Sequence, residues 1–177
     1  MLSRPAENEY APYYGKYISR VPDGDLLNFM ELQTSEFNGF VNDLTDEQTT
    51  QPPAPGKWSV KQVLGHICDS ERVFAYRALR FARADKTDLE GFEQDDYVAS
   101  ANSNARSATE LLAELKSVRG ATLSLLESLT EADTIRTGVA SGNPVSVRAL
   151  AYIIGGHAQH HLELLRKQLG VRLKSES

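Results

Sequence analysis

Apolar residues recur at three- and four-residue steps in four stretches of this chain, and almost nowhere do they alternate with a period of two. That pattern confines the chain to helix packed on helix. The first stretch runs from about Asp25 to Leu44, where Leu26, Phe29, Met30, Phe37, Phe40, Val41 and Leu44 share a face. "TDEQTTQPPAPGK" ends it, because its prolines cannot continue a helix. The second opens on a capping box, Ser59 with Gln62 three residues on, and Trp58 is placed to staple onto Val63. Its stripe, Val60, Leu64, Ile67, Phe74, Ala78 and Phe81, runs to about Ala84. A second box, Ser107 with Glu110, opens the third stretch, which carries Leu111, Leu112, Leu115, Val118, Leu125, Leu126 and Leu129. The fourth starts at Ser146 after "SGNPV" and ends near Leu169, with Gly170 as its stop.

Strand signals are confined to "RTGVASGNPVSV", which could form a short hairpin-like connection. The expected fold is all-α: a single domain over residues 1–177, built as a four-helix bundle. A long loop from Asp85 to Arg106 separates the second and third helices, and loops of that length tend to be lids or to carry a short helix. The Tyr-rich start, "YAPYYGKYI" within an N-terminal extension of residues 1–22, is expected to pack on the bundle, since its aromatics would otherwise face water.

A chain of 177 residues with 41% hydrophobic and 24% charged residues can bury a sizeable core. Its net charge of -5 speaks against a nucleic-acid partner. No apolar signal-peptide core opens the sequence, and no run approaches the ~18 apolar residues of a membrane span. One cysteine excludes an internal disulfide and fits a reducing cytoplasm. Serine-hydrolase, phosphate-loop and dinucleotide fingerprints are absent, as are the paired Glu-x-x-His motifs of di-iron bundles.

Three of the four histidines stand in "GGHAQHHLELLRKQLG", residues 155–170. His157 and His161 extend the core-facing rhythm of Val147, Leu150 and Ile154, so two imidazoles occupy apolar positions four residues apart. His160 lies about 100° around the helix and reads as an edge residue. The fourth, His66, shares a ridge of the second helix with Val63, Ser70 and Val73. Burying three such rings without a ligand would be costly, and a cation coordinating them removes the problem. Three neutral imidazoles suit Zn, Ni, Fe or Co and leave coordination positions open. Gly155 and Gly156 would thin the helix here, for a bound ligand or for a closely packed neighbour, and spacing alone does not separate the two.

Glu71 falls on the stripe between Ile67 and Phe74, a position for a general base or for a carboxylate behind a metal ligand. The structural alternative is an ion pair with an arginine such as Arg72 or Arg77. Asp69 could orient His66 or be a solvated surface group, and Cys68 reads as a small buried hydrophobe.

"GKWSVKQVLGH" at the head of the second helix, with "HAQHH" in the fourth, resembles the DinB/YfiT-like superfamily. The likeness extends from "RPAENEYAPYYGKYISRVPDGD" through the fourth helix. It implies a four-helix bundle, frequent homodimers, and a divalent-metal site carried by His66, His157 and His161. Members are often described as metal-dependent hydrolases, while some relatives transfer low-molecular-weight thiols such as bacillithiol or mycothiol to electrophiles. The expected function is therefore a metal-dependent enzyme that activates a thiol or water against a small electrophilic substrate. The alternative is a non-catalytic metal-binding bundle with a structural or ligand-sensing role.

Overall fold

Both expected capping boxes form. Ser59 Oγ accepts from the Gln62 amide at 3.1 Å while Gln62 Oε1 accepts from the Ser59 amide at 2.9 Å. Ser107 and Glu110 repeat the exchange at 3.2 and 2.8 Å. In the computed structural model, which describes residues 2–170, these caps open two of four long helices. The helices are, in chain order, α1 (Gly15–Ile18), α2 (Leu26–Asn42), α3 (Asp46–Thr50), α4 (Val60–Ala82), α5 (Gln94–Ser100), α6 (Ala108–Glu127), α7 (Glu131–Thr134) and α8 (Val147–Gln168). Met1 and residues 171–177 of the expected single domain lie outside the described residues. No described helix is long and apolar enough to cross a membrane.

The long helices form a four-helix bundle in which α2 packs on α6 and α8, and α4 packs on the same two. So α2 and α4 face each other diagonally, as do α6 and α8. Directions follow from the side-chain pairs. On α2 and α8, Gln33 meets Gln159 and Glu36 meets Arg166, so those helices run parallel. At the α4–α6 seam, Ser59 at the head of α4 meets Asn104 just ahead of α6, while Glu71 further along α4 meets Arg119 further along α6, again parallel. That geometry explains the long connector. A parallel neighbour can be reached only by returning along the bundle, and α4 with 23 residues is about 35 Å long. Residues 83–107 make that return and carry α5 and a single tight turn, Ser103–Ala105, on the way.

The hairpin-like segment is a two-stranded antiparallel ribbon, β1 (Thr137–Ala140) with β2 (Asn143–Ser146). Ala140 pairs with Asn143 across a two-residue turn, and Ser141 and Gly142 take φ of 51° and 74°. Positive φ at both central residues matches the strand twist that a two-residue hairpin requires. The connector runs beside this ribbon: the Leu89 amide donates to Val139 O, and the Ser141 amide to Leu89 O, both at 2.9 Å.

The N-terminal segment packs on the bundle through buried Leu2, Tyr17, Ile18 and Val21. Gly156 makes this docking possible: a Cβ there would lie 2.0 Å from the Tyr17 carbonyl oxygen. Of the two readings of the glycine pair, Gly156 thus serves close backbone approach, between α8 and α1. Two apolar clusters fill the bundle. One gathers Met30, Phe74, Phe81, Leu150 and Ile154, the other Phe37, Leu64, Ile67, Leu115 and Leu162. Between them runs a layer of buried polar groups.

Candidate functional site

Part of that polar layer is the histidine cluster. Helix α4 presents His66 from one side, and α8 presents His157 and His161, one turn apart, from the other. The Nε2 of His157 lies 3.1 Å from the Nε2 of His66 and 3.1 Å from that of His161. All three rings are buried. Behind them, Ser70 Oγ stands 3.4 Å from His66 Nδ1, whereas His161 Nδ1 is buried with no hydrogen-bond partner. Burial is the largest influence on all three. It lowers His66 to about 4, lowers His161 to about 3, and holds His157 well below the usual imidazole range. The rings are therefore neutral at pH 7, the state in which imidazole is a metal ligand.

Hydrogen bonding within the protein does not satisfy this arrangement. A ring nitrogen offers a single in-plane position, as donor or as acceptor, so His157 Nε2 cannot serve both of its neighbours. A cation accepting three lone pairs satisfies all three at once. The spacing agrees: a tetrahedron with ~2.0–2.1 Å Zn–N bonds has edges of about 3.3 Å. By donor type, count and spacing, the residues present fit a divalent cation. His66, His157 and His161 are the one group of three potential ligands that converges in this way among the described residues.

The cluster opens on a cavity of about 260 Å³. His66, Ser70 and Phe74 of α4 form one wall, and Tyr13, Tyr14 and Tyr17 of the N-terminal segment face them. Phe92 and Glu93 of the connector roof it, and Arg77 and Ser141 close the end away from the histidines. Tyr17 sets its ring edge-on to His157 at 5.2 Å, and its hydroxyl lies 3.3 Å from that of Tyr13. On the opposite side, Trp58 packs against His66 at 4.8 Å and stacks on His161 at 6.4 Å between ring centroids. The sequence marked Trp58 only as a helix staple. It marked the tyrosines only as a docking segment, because neither pattern says which chain end meets the cluster.

The remaining expected residues fall elsewhere. His160 is half-buried at the edge, touching Tyr17, and stands outside the cluster. Asp69 turns outward to Arg72 at 3.4 Å, so Ser70 rather than Asp69 stands behind His66. Cys68 is fully buried, and burial pushes its thiol up to about 12. Glu71 is drawn inward as its position on the stripe suggests, yet both carboxylate oxygens belong to Arg119 of α6. That partner is neither Arg72 nor Arg77. Glu71 does not line the cavity, so its place in this structure is in the helix-to-helix network described below.

The chain is similar to several known proteins. The family model for the DinB superfamily matches residues 30–165. A protein of Geobacillus thermodenitrificans named "Putative metal-dependent hydrolase" is 30% identical over 137 residues, covering 73% of this chain and 76% of its own. One of Geobacillus kaustophilus under a like name is 29% identical over 143 residues, covering 77% and 79%. Among solved structures, YfiT from Bacillus subtilis is described as a probable metal-dependent hydrolase with an unusual four-helix bundle topology. It superposes with a TM-score of 0.74 at 20% identity, covering 95% of this chain and 94% of its own. The mycothiol-dependent maleylpyruvate isomerase gives 0.65 at 9% identity, covering 82% of this chain and 61% of its own. With a family match that runs from the first long helix through the last, the chain belongs to the DinB superfamily.

Proposed function

We propose that this protein is a divalent-metal-dependent enzyme acting on a small molecule bound in the cavity beside the three histidines, in the manner of a hydrolase. The observation that carries the reading is the convergence of three buried, neutral imidazoles, two of which, His66 and His157, line an accessible cavity. Three protein ligands, rather than four, leave room for a non-protein ligand, the mark of catalytic rather than structural sites. A Zn, Ni, Fe or Co ion held there would supply Lewis acidity, lowering the pKa of a water or low-molecular-weight thiol and polarising an electrophilic centre.

The chain's own groups prepare that chemistry. Burial keeps the three imidazoles neutral, and Ser70 Oγ is within reach of a proton on His66 Nδ1. Tyr17, Phe74 and Trp58 surround the rings with aromatic surface and limit water. The Tyr13 and Tyr17 hydroxyls offer hydrogen bonds to a bound substrate from the wall facing α4. Glu71 enters this proposal as a structural residue. A reducing cytoplasm suits the single buried thiol of Cys68.

Trp58 makes the metal step measurable, because it is the only tryptophan in the chain and lies against two of the three rings. Titrating metal-free protein with Ni²⁺ or Co²⁺ is expected to quench its fluorescence to a sharp end point at one equivalent, reversed by a chelator. A linear, unsaturating response would reject the site. Loaded protein is then expected to turn over small esters, amides or thiol–electrophile pairs, and chelation to abolish the turnover. The proposal also includes the homodimer implied by the family resemblance. Light scattering at micromolar concentration should give twice the chain's 19.6 kDa, and the monomer mass would refute it.

A further inference from the structure

Arg77 occupies the cavity's other end, and its surroundings set it apart from the other buried arginine. Arg119 is matched by a carboxylate on two of its nitrogens. Arg77 is as deeply buried, at 3% exposure, yet it has no carboxylate partner among the described residues. Its Nη2 donates to the Glu90 carbonyl at 2.7 Å and to Ser141 Oγ at 3.0 Å. Tyr14 is its other polar neighbour, and the Phe74 ring lies 5.8 Å from its guanidinium carbon. All of these acceptors are neutral. A cation taken out of water without a counter-charge is unfavourable, and burial accordingly pushes the Arg77 pKa down.

From this geometry we infer that Arg77 is the anion-recognition end of the cavity, and that the substrate carries a carboxylate or phosphate group remote from its reacting centre. The inference deepens the proposed function and rests on it for the position of the reacting group. Nη2 holds the connector and the hairpin turn, and beyond those two bonds and the Tyr14 hydroxyl the guanidinium has no polar partner among the described residues, which leaves some of its five N–H donors free. A planar guanidinium with donors to spare matches the two oxygens of a carboxylate or phosphate. The cavity joins this cation to His66 and His157, so one small molecule can reach both. Its one lining carboxylate, Glu93, projects from the exposed connector, where solvent screens it. Ser141 adds a second constraint: its left-handed backbone in the hairpin turn aims the hydroxyl at Arg77, so the ribbon sets the guanidinium's orientation.

The test uses Ni²⁺-loaded full-length protein, with loading verified by the Trp58 signal, and calorimetry with a length series of ω-mercaptocarboxylates. The matching ω-mercaptophosphonates and neutral ω-mercaptoamides complete the set. At the best length, a charged probe is expected to bind about 10- to 100-fold tighter than its amide, the range of a hydrogen-bonded ion pair. Which of the two anions wins identifies the source. Arg77→Gln should erase the preference without changing metal stoichiometry, and Arg77→Lys should keep part of it. Equal affinities for charged and neutral probes at every length in the wild type would overturn the inference, whether or not either variant folds. A second measurement is independent of the metal. Glutarate or inorganic phosphate, at matched ionic strength, should raise the melting temperature of metal-free wild type but not of Arg77→Gln. Failure of metal loading with this shift intact would reject the proposed function and leave Arg77 as an anion site. Loss of the shift and of the charge preference together would reject the anion site alone.

Discussion

Replacing His157 by alanine is expected to take the purified protein from one bound divalent cation per chain to none, and its metal-dependent turnover to background. His157 is the centre of the cluster, since its Nε2 makes both of the 3.1 Å contacts that bring the three rings together. His66→Ala and His161→Ala should fail in the same way, each leaving two ligands where three are needed. His160→Ala should retain near-stoichiometric metal, because that ring lies at the edge against Tyr17. Ser70→Ala tests the next layer: losing a hydrogen-bonding partner behind a ligand typically lowers metal affinity about 10–100-fold without abolishing it. Elemental analysis across the five variants, with circular dichroism to establish that each is folded, separates these outcomes. Should His160→Ala lose the metal while His157→Ala or His161→Ala keeps it, the site lies on a different face of α8.

The cluster was legible in the sequence because two features are local. Histidines four apart on one apolar stripe must share a face, whatever the helix packs against. The cap at Ser59 likewise sets where α4 begins and so the phase of His66. What was not legible depends on contacts between distant segments. Nothing in "YAPYYGKYI" says that it lines a cavity beside α4, and the length of the connector only hinted that α4 and α6 run parallel. The choice between the two readings of Gly156 needed the Tyr17 carbonyl, 139 positions away in the chain. Arg77 entered only as a candidate ion-pair partner for Glu71, since its burial depends on a hairpin turn that reaches it from residue 141. A weaker signal was available and unused. Gln33 and Arg119 interrupt apolar stripes just as Glu71 does, lying between Met30 and Phe37 and between Leu115 and Leu126.

Those three residues carry the second large effect. Glu71→Ala is expected to lower stability by about 3–5 kcal/mol, the usual consequence of leaving one member of a buried ion pair alone. Arg119 grips Glu71 through Nε at 2.9 Å and Nη2 at 2.8 Å. It turns Nη1 to the Met30 carbonyl at 2.7 Å and to Gln33 Oε1 at 3.0 Å. Gln33 Nε2 continues to the Gly155 carbonyl and to Gln159 Oε1, each at 3.0 Å. One network therefore ties α4, α6, α2 and α8 together at the level of the histidines, and removing the carboxylate leaves a buried guanidinium facing an empty space. For a domain of this size the loss corresponds to a melting temperature lower by on the order of 10 °C. Arg119→Met should be comparably damaging, since it strands the Glu71 carboxylate. The double replacement Glu71→Leu with Arg119→Met should recover much of the loss, because apolar groups of similar volume need no partner. Thermal denaturation of the wild type, Glu71→Leu, Arg119→Met and the double variant forms the cycle, and additive losses would show that the pair is not coupled. Glu71→Gln provides the functional arm. It keeps an acceptor for Arg119, so metal stoichiometry and turnover below the melting transition should stay near wild type. A folded, metal-loaded Glu71→Gln without turnover would instead make Glu71 the general base that its place on the α4 stripe first suggested.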